Sequence, residues 1–465
     1  MAKILHIMLT GPVTDGWSYQ DNLLTKYQRR LGHEVTMITS QWIWGEDGKL
    51  AKCRKTDYRN ENDVKVIRLP IHGKDRWGRK FKTFEGLYEK MLAEEPDILF
   101  VHNVSFLDMD VVVNYIRYRR KLEKNIMPSE KSSKETAQDT SKKRSQTTLQ
   151  VYVDNHSDFS NSGGNWISRN VLHKILWKSK AKKIEPYTTK FYGVMPARVE
   201  WLSRMYGIPE HKCELLVMGA DDDGITKAIE YNAAKRIREQ YHIAEDDFLI
   251  VTGGKIDRAK RQTLLLMEAV RNIAEKQGDM QKEAALNKAS EISEIRESDS
   301  AGNIAASDSA GNTASGNAAK GITKNVRLLV FGSVAGELKD ELEKLADGNI
   351  VQYTGWIAAE ESYDYFSAAD LVVFPGRHSV YWEQVVGMGI PMLCKYWEGT
   401  THVDIGGNVR FLTEDNVSCI ENSLLELLKE DGKEYLEMKA AANSERKKEF
   451  SYLQIAQKCI EQTFY

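Results

Sequence analysis

The segment Gly253-Gly254-Lys255-Ile256-Asp257-Arg258-Ala259-Lys260-Arg261 puts four cations behind a glycine pair. Fixed positive charge beside a helix start holds a diphosphate and stabilises it as a leaving group. The same residues also fit an exposed basic loop. A second loop, Gly11-Pro12-Val13-Thr14-Asp15-Gly16-Trp17-Ser18, offers backbone N–H groups to phosphate oxygens. Its glycine spacing is not the G-x-G-x-x-G fingerprint of dinucleotide binding. A third group, Phe374 to Pro391, presents Arg377, His378, Ser379, Glu383 and Gln384. The Glu383 carboxylate accepts hydrogen bonds either from ribose and sugar hydroxyls or from a neighbouring loop. Ser379 stands as a candidate N-cap for a helix starting near Val380. In a fourth group, Asp154-Asn155-His156-Ser157-Asp158, a histidine lies between two carboxylates, a positioning group for a donor or an acceptor. His102 follows another apolar run in an equivalent place.

Each group needs a strand before it and a helix after it. Ile4–Leu9 reads as a first strand and 19–31 as a helix by its apolar spacing, with a second strand at Glu34–Thr39. A right-handed crossover makes those two strands parallel. Val64–Leu69, Asp97–His102, Leu149–Val153 and Glu214–Met218 continue the series. A second series runs through Phe248–Thr252, Val326–Phe331, Ile350–Tyr353, Leu371–Phe374 and Pro391–Cys394. The last stretch, Tyr452–Phe464, is helical in pattern. The expectation is two α/β halves with mostly parallel sheets, their boundary near 219–245. Strand carboxyl ends are where open α/β sheets bind ligands. Residues 128–148 and 286–324 are poor in apolar side chains and read as disordered insertions.

With 465 residues the chain is too long for one core, and its 42% hydrophobic and 28% charged residues are those of a globular protein. The net charge of -2 hides an asymmetry: residues 1–215 carry +11 and the remainder -13. Either one half meets an anionic partner or solvated faces account for the difference. Five scattered cysteines without a CxxC pair give neither a disulfide framework nor a zinc site, which suits a reducing cytoplasm. Nothing reads as a signal peptide or a membrane span. Nucleic-acid binding has only the half-charge in its favour.

Leu31-Gly-His-Glu-Val-Thr-Met-Ile-Thr39 lies in the first half, as does Tyr206-Gly-Ile-Pro209 through Met218-Gly-Ala-Asp221. Gly254-Lys255 with Lys260, Thr354-Gly355-Trp356 and Ala369-Asp370 through Pro375 follow in the second. Together these motifs resemble the retaining family-4 glycosyltransferases of bacterial cell-surface polysaccharide and glycolipid synthesis, over almost the whole chain outside the two insertions. The resemblance implies a GT-B fold, with two Rossmann-like domains whose parallel sheets face a central cleft. It implies an acceptor domain at 1–218, a nucleotide-sugar donor domain at 219–445, and a C-terminal segment, 446–465, crossing back to the first domain. It also implies retention of configuration by front-face attack, with no obligatory metal or cofactor. The donor would be a nucleotide-diphosphate sugar and the acceptor a glycan or a lipid-linked oligosaccharide.

Taking the residue reading and the resemblance together, His156, Lys255, Lys260 and Glu383 would be catalytic. Gly16, Gly254, Lys255, Arg258, Lys260, Arg377, His378, Ser379, Glu383 and Gln384 would bind the donor. Trp17, His102, Asp154, His156 and Asp158 would face the acceptor. Lys255 stands where the family more often has Arg, which keeps the charge but loses the bidentate fork. The family's Glu-x7-Glu pair is broken: eight residues before Glu383 stands Pro375, and before Gln384 stands Gly376. The run His378-Ser379-x-x-Trp382-Glu383-Gln384 resembles a subgroup of capsular and polysaccharide-cluster transferases.

The stretch 166–183 interleaves Trp166, Ile167, Val171, Leu172, Ile175, Leu176 and Trp177 with six cations, and 110–124 adds five more. It is either an ordinary helix with its apolar face in the core or one resting on an anionic bilayer at the inner membrane face. Two other classes fit the same groups. One is a sugar-nucleotide epimerase or a phosphorylase; the other is a non-catalytic nucleotide- or glycan-binding subunit.

Overall fold

The computed structural model describes residues 1–45, 49–73, 75–126, 148–162, 164–300, 324–429 and 432–460. Two compact units divide the chain. One is Met1–Asp222 with Glu398–His402 and Lys448–Tyr465; the other is Asp223–Trp397 with Val403–Lys447.

In the first unit the strands are β1 (Lys3–Met8), β2 (Glu34–Ser40), β3 (Trp42–Trp44), β4 (Leu50–Lys52), β5 (Asp57–Arg59), β6 (Lys65–Leu69), β7 (Ile98–His102), β8 (Gln150–Asn155), β9 (Lys190–Gly193) and β10 (Cys213–Leu215). Strands β3 and β4 pair only with each other. The rest form one sheet in the order β10-β9-β8-β7-β1-β2-β6-β5, parallel except for the β5–β6 edge. The chain runs outward from β1 through β2 to β6 and then returns to β7 on the other side of β1. The order therefore reverses between β1 and β7, and the loops after those two strands part to leave a crevice.

The second unit repeats the plan with β11 (Phe248–Gly253), β12 (Val326–Phe331), β13 (Val351–Gly355), β14 (Leu371–Phe374), β15 (Met392–Lys395) and β16 (Val409–Leu412). The order is β13-β12-β11-β14-β15-β16, all parallel, and it reverses between β11 and β14.

Helices cover both faces of such sheets, so central strands are apolar throughout and β7 is buried at all five positions. Alternation along β1 sends Leu5 and Ile7 to one core with the helix Met109–Ile126. Ile4 goes to the opposite core with Phe100, Tyr152 and Tyr192. There Phe100, Tyr152 and Tyr192 stack with centroids 6.0–6.2 Å apart, under the helices Gln20–Arg30 and Tyr452–Lys458.

Two sequence expectations change, and others fall on residues outside the described set. The helix that begins at Gln262 continues to Ser300, well into the segment 286–324 read as a disordered insertion. Between 279 and 300 no Gly or Pro interrupts a run rich in Ala, Glu, Lys, Ile and Arg, a composition with high local helix propensity. Residues 301–323 of that segment, and 128–147 of the other, lie outside the described residues. The C-terminal helix spans Tyr452–Lys458, and 461–464 of the stretch expected to be helical also lie outside.

One glycine governs how the C-terminal helix docks. Ala220 pairs with the chain just before it: the Ala220 amide donates to Phe450 O at 2.8 Å, and the Tyr452 amide donates to Ala220 O at 3.2 Å. A Cβ on Gly219 would sit 2.3 Å from that same Phe450 carbonyl oxygen. Gly219→Ala is therefore expected to lower stability by about 1–3 kcal/mol, as overpacking does. The readout is the urea midpoint together with the rate at which protease clips the C-terminal segment. An unchanged midpoint would mean that the helix does not depend on this approach.

Candidate functional site

In the first unit the β1/β7 switch point holds a chain of buried polar groups. His6 on β1 and His102 at the end of β7 share a sheet face with Phe100, with the His6 ring 5.3 Å from Phe100 and 5.2 Å from His102. His6 Nε2 lies 2.6 Å from Gln28 Oε1, and His6 Nδ1 lies 2.9 Å from His102 Nε2. His102 Nδ1 is 2.6 Å from Asp154 Oδ2, and His156 Nε2 reaches the same oxygen at 3.5 Å. Gln28 oxygen can only accept, so His6 carries its proton on Nε2 and takes a hydrogen bond from His102 Nε2. With the carboxylate on its other side, His102 is the charged member and His6 the neutral one. Burial and the His102 charge push His6 down to about 3. Burial also pulls on His102, but the charge and hydrogen bond of Asp154, aided by Asp21, outweigh it and raise the group. Asp154 in turn is held low by His102 and His156 against its own desolvation.

His102, Asp154 and His156 bring three potential metal-ligand atoms within 4.8 Å of one another. Both nitrogens of His102 are already committed, however, so the cluster is a hydrogen-bonded relay that fixes His156. The His156 ring is about a third exposed and lines an adjoining pocket.

Asp158 departs from its expected place facing an acceptor. Its Oδ1 accepts from the Ser160 and Asn161 amides at 2.8 Å each, and its Oδ2 from Arg198 Nε at 3.2 Å. The carboxylate is spent on folding its own loop.

The Gly11–Ser18 loop is braced by a residue that sequence reasoning passed over. Arg68 on β6 is fully buried; its Nη1 donates to Val13 O at 2.9 Å and to Ser40 O at 3.1 Å. Its Nη2 meets Asp15 at 3.3 Å, and its Nε donates to Tyr58 OH at 2.8 Å. An arginine inside an otherwise apolar strand was the available signal. Gly16 takes the left-handed φ of 77°, and its amide donates to Glu61 Oε1 at 2.9 Å, so this N–H points at an anionic oxygen. Trp17 is half-buried; its carbonyl is fixed by Asn22 at 2.8 Å.

In the second unit the β11/β14 switch point forms a pocket lined by Gly254, Lys255, Lys260, Gly376, Arg377 and Ser379. Its floor is backbone. Gly254 has φ 119°, and a Cβ on Gly332 would lie 1.9 Å from Gly254 O, so only glycines allow the strand ends to close this tightly. Asp257 caps the short turn Arg258–Lys260 by accepting from the Ala259 amide at 3.0 Å, which aims Lys260 back toward Gly254. Lys260 makes no side-chain hydrogen bond or ion pair among the described residues. Burial lowers its pKa, with Lys255 adding to the shift and Asp257 opposing it. Lys255 stands at the rim, 3.4 Å from Asp257. The other two cations turn away: Arg258 is 85% exposed near Glu337, and Arg261 pairs with Glu341 at 3.0 Å.

Glu383 is fully buried on the helix Tyr381–Met388, and its Oε1 is 2.8 Å from His378 Nε2. It would reach a ligand through that ring. Gln384 is buried too, donating to Ser362 Oγ at 2.8 Å within the unit's interior. Val380, not Ser379, is the N-cap, and no side chain caps the helix. The Ser379 carbonyl accepts from the Trp382 amide instead, which leaves the hydroxyl at the pocket lining.

No family model matches this sequence, and no curated protein matches it. Solved structures do. HepE of Anabaena in complex with UDP superposes with a TM-score of 0.57 at 12% identity, covering 99% of each chain. WaaG, a glycosyltransferase of lipopolysaccharide biosynthesis, gives 0.57 at 13% identity, again over 99% of both chains. The UDP-GlcNAc 2-epimerase of Neisseria meningitidis bound to UDP-GlcNAc gives 0.52 at 9%, also over 99% of both. The likeness establishes the fold: α/β with two Rossmann-like units, the GT-B plan.

The buried histidine chain makes stability pH-dependent on both sides of neutrality. His102 has a raised folded pKa, so its contribution is complete below the unfolded value of 6.5 and is lost as pH climbs through the folded one. His6 has a lowered pKa, so its contribution is complete above 6.5 and is lost as pH falls toward about 3, where Asp154 weakens as well. Melting temperature against pH should peak near neutrality. His102→Asn should flatten the alkaline limb and His6→Asn the acid limb. Identical limbs in the variants and the parent would contradict the assigned charge states.

Proposed function

We propose that this protein is a retaining glycosyltransferase. It would move a sugar from a nucleotide-diphosphate sugar to a glycan or lipid-linked acceptor in cell-surface polysaccharide synthesis. The observation that carries the proposal is Lys260, a desolvated ammonium with no hydrogen bond or ion pair among the described residues, at the switch point of the second sheet beside glycine backbone and Lys255. A diphosphate supplies the charge that pocket lacks. The complexes with UDP and UDP-glucose of HepE, a protein of the same fold, agree with this assignment.

In this mechanism the acceptor hydroxyl attacks the anomeric carbon on the face from which the diphosphate departs. The sugar–phosphate C–O bond breaks as the new glycosidic bond forms, and the acceptor proton passes to the departing phosphate oxygen. Lys255 and Lys260 carry the developing charge, with Arg377 and Ser379 at the rim. His378, fixed by Glu383, faces the donor and takes over the sugar contact that the missing carboxylate of the Glu-x7-Glu pair would make. In the first unit His156, held by Asp154, orients the acceptor, with Trp17 as a further acceptor contact. Asp154 and His102 act as positioning residues.

Lys260→Ala should abolish the thermal stabilisation given by the matching nucleotide diphosphate and lower kcat by about 10²–10³-fold. Stabilisation that survives in the variant, or no response to any nucleotide, removes the basis of the proposal. A second reading, sugar-nucleotide epimerase, is favoured by the epimerases that share the fold. Proton NMR of one nucleotide sugar incubated with enzyme alone separates the two. Epimerisation without acceptor supports the second reading; a product with the donor's anomeric configuration, formed only with acceptor, supports the first.

The first unit also carries a surface suited to an anionic bilayer. The π-helix Ser168–Trp177 turns His173 and Trp177 inward. It leaves Trp166 and Ile175 exposed at 72% and 66%, with Ile167 and Val171 also exposed. Of the two readings of this stretch, His173 and Trp177 fit the core-facing one, and the exposed apolar residues fit the one resting on a bilayer. Lys174, Lys178 and Lys182 flank the exposed residues. No described helix is long and apolar enough to cross a membrane. Sedimentation with anionic liposomes at low salt should capture the protein, and Trp166→Ser/Ile175→Ser should release it. Equal sedimentation with neutral vesicles would point away from this surface.

A further inference from the structure

We propose that the pocket beside His156 is built for a negatively charged acceptor, with Lys82 as the counter-ion for a phosphate or carboxylate group. The inference rests on the transferase reading for the word acceptor. The anion site itself stands on separate residues.

The pocket encloses about 490 Å³, within the range of small-molecule sites. Lys80, Lys82, Asn103, Ser157, Asn161 and His156 are among its lining residues, and among the described residues no Asp or Glu lines it. Lys82 follows the helix Asp75–Phe81, and its amide donates to Gly78 O at 2.6 Å. This is the left-handed position after a helix, which Gly normally fills. Lys82 holds φ at 58° with a side chain that this region disfavours. Asn103, across the pocket, is also left-handed, at 67°. Strained side chains of this kind cluster where ligands are held.

The charge of Lys82 is unanswered. Its ammonium makes no hydrogen bond or ion pair among the described residues, and burial lowers it to about 8. His173, which also lines the pocket, offers no negative charge: burial and the Lys82 charge push it down to about 4, and its Nδ1 is 2.8 Å from Tyr206 OH. Asp158 is spent on its turn and on Arg198, and Asp154 on His102. A buried ammonium persists at a cost unless something of opposite charge arrives. The Asn and Ser side chains around it supply the further donors that an oxyanion takes up.

The test uses the full chain carrying Lys260→Ala, so that phosphate cannot report from the second unit. The probes are inorganic phosphate, glucose 6-phosphate, glucuronate and methyl glucoside, followed by calorimetric titration and thermal shift. At least one anionic probe should bind and methyl glucoside should not. The better of glucose 6-phosphate and glucuronate distinguishes a phosphate-bearing from a carboxylate-bearing acceptor. Lys82→Gly relieves the backbone while deleting the charge, so its melting temperature should hold or rise while anion affinity falls roughly tenfold to a hundredfold. Lys82→Arg should retain binding. Equal binding of methyl glucoside, or undiminished anion affinity in a folded Lys82→Gly protein, overturns the inference. Nucleotide binding in the protein with Lys260 intact is a separate readout, so loss of one reading leaves the other standing.

Discussion

Parallel strand pairing is the constraint from which the rest follows. A parallel neighbour can be reached only by a crossover that returns over the sheet, so every loop leaving a strand emerges at the same edge. Where the strand order reverses, two such loops diverge and backbone N–H groups stand open to a ligand. In this chain the reversals fall between β1 and β7 and between β11 and β14. The groups with chemistry follow β1, β7 and β8 in one unit, and β11 and β14 in the other. The glycines serve this geometry in different ways: a Cβ on Gly332 would collide with the Gly254 carbonyl, a Cβ on Gly253 would collide with the Phe331 ring, and Gly254 supplies a positive φ.

The strands were legible because parallel sheets buried on both faces write themselves as apolar runs, and because Gly32 and the Gly253-Gly254 pair punctuate them. The placement of Gly254, Lys255 and Lys260 was legible for the same reason: a cation-rich loop after an apolar run has one edge of the sheet to go to. Other features were not. Arg68 sits in β6 at a spacing no different from its apolar neighbours. Its role is set by Asp15 and Tyr58, which the fold alone brings together. His6 looked like part of an apolar strand, and its partners are Gln28 and His102, distant in sequence. Glu383 and Gln384 stand side by side in sequence, yet one meets His378 and the other Ser362, because a helix turns successive side chains about 100° apart. The helix past residue 286 is hidden from a composition read for burial, because its residues favour helix by propensity.

Long-range polar contacts are thus what one unaligned chain conceals. They are also what fixes the geometry. His156 would be an unremarkable loop histidine without Asp154. Asp154 would be a costly buried carboxylate without His102. His102 is oriented by His6, which Gln28 locks into one tautomer. The chain begins on a helix, crosses three strands and ends at the pocket, so a side chain at the pocket rim inherits the rigidity of the sheet.

The same accounting sorts the cations. Arg68, Arg198, Arg238 and Arg327 each meet a carboxylate of the protein itself. Their charge is answered within the fold, and they hold loops and strand ends in place. Arg258 and Arg261 sit with Glu337 and Glu341 in water, where a pair contributes little. Lys260 and Lys82 belong to neither class: each is mostly withdrawn from water, and each lacks a partner among the described residues. A folded chain keeps such a group only against the cost of its desolvation. The cost recurs at the second sheet's switch point and in the pocket beside His156. In both places the lining supplies donors, backbone amide or Asn and Ser, and among the described residues no carboxylate. Two sites short of negative charge, in two units of one chain, are what the proposed transfer would use, one for a diphosphate donor and one for an anionic acceptor.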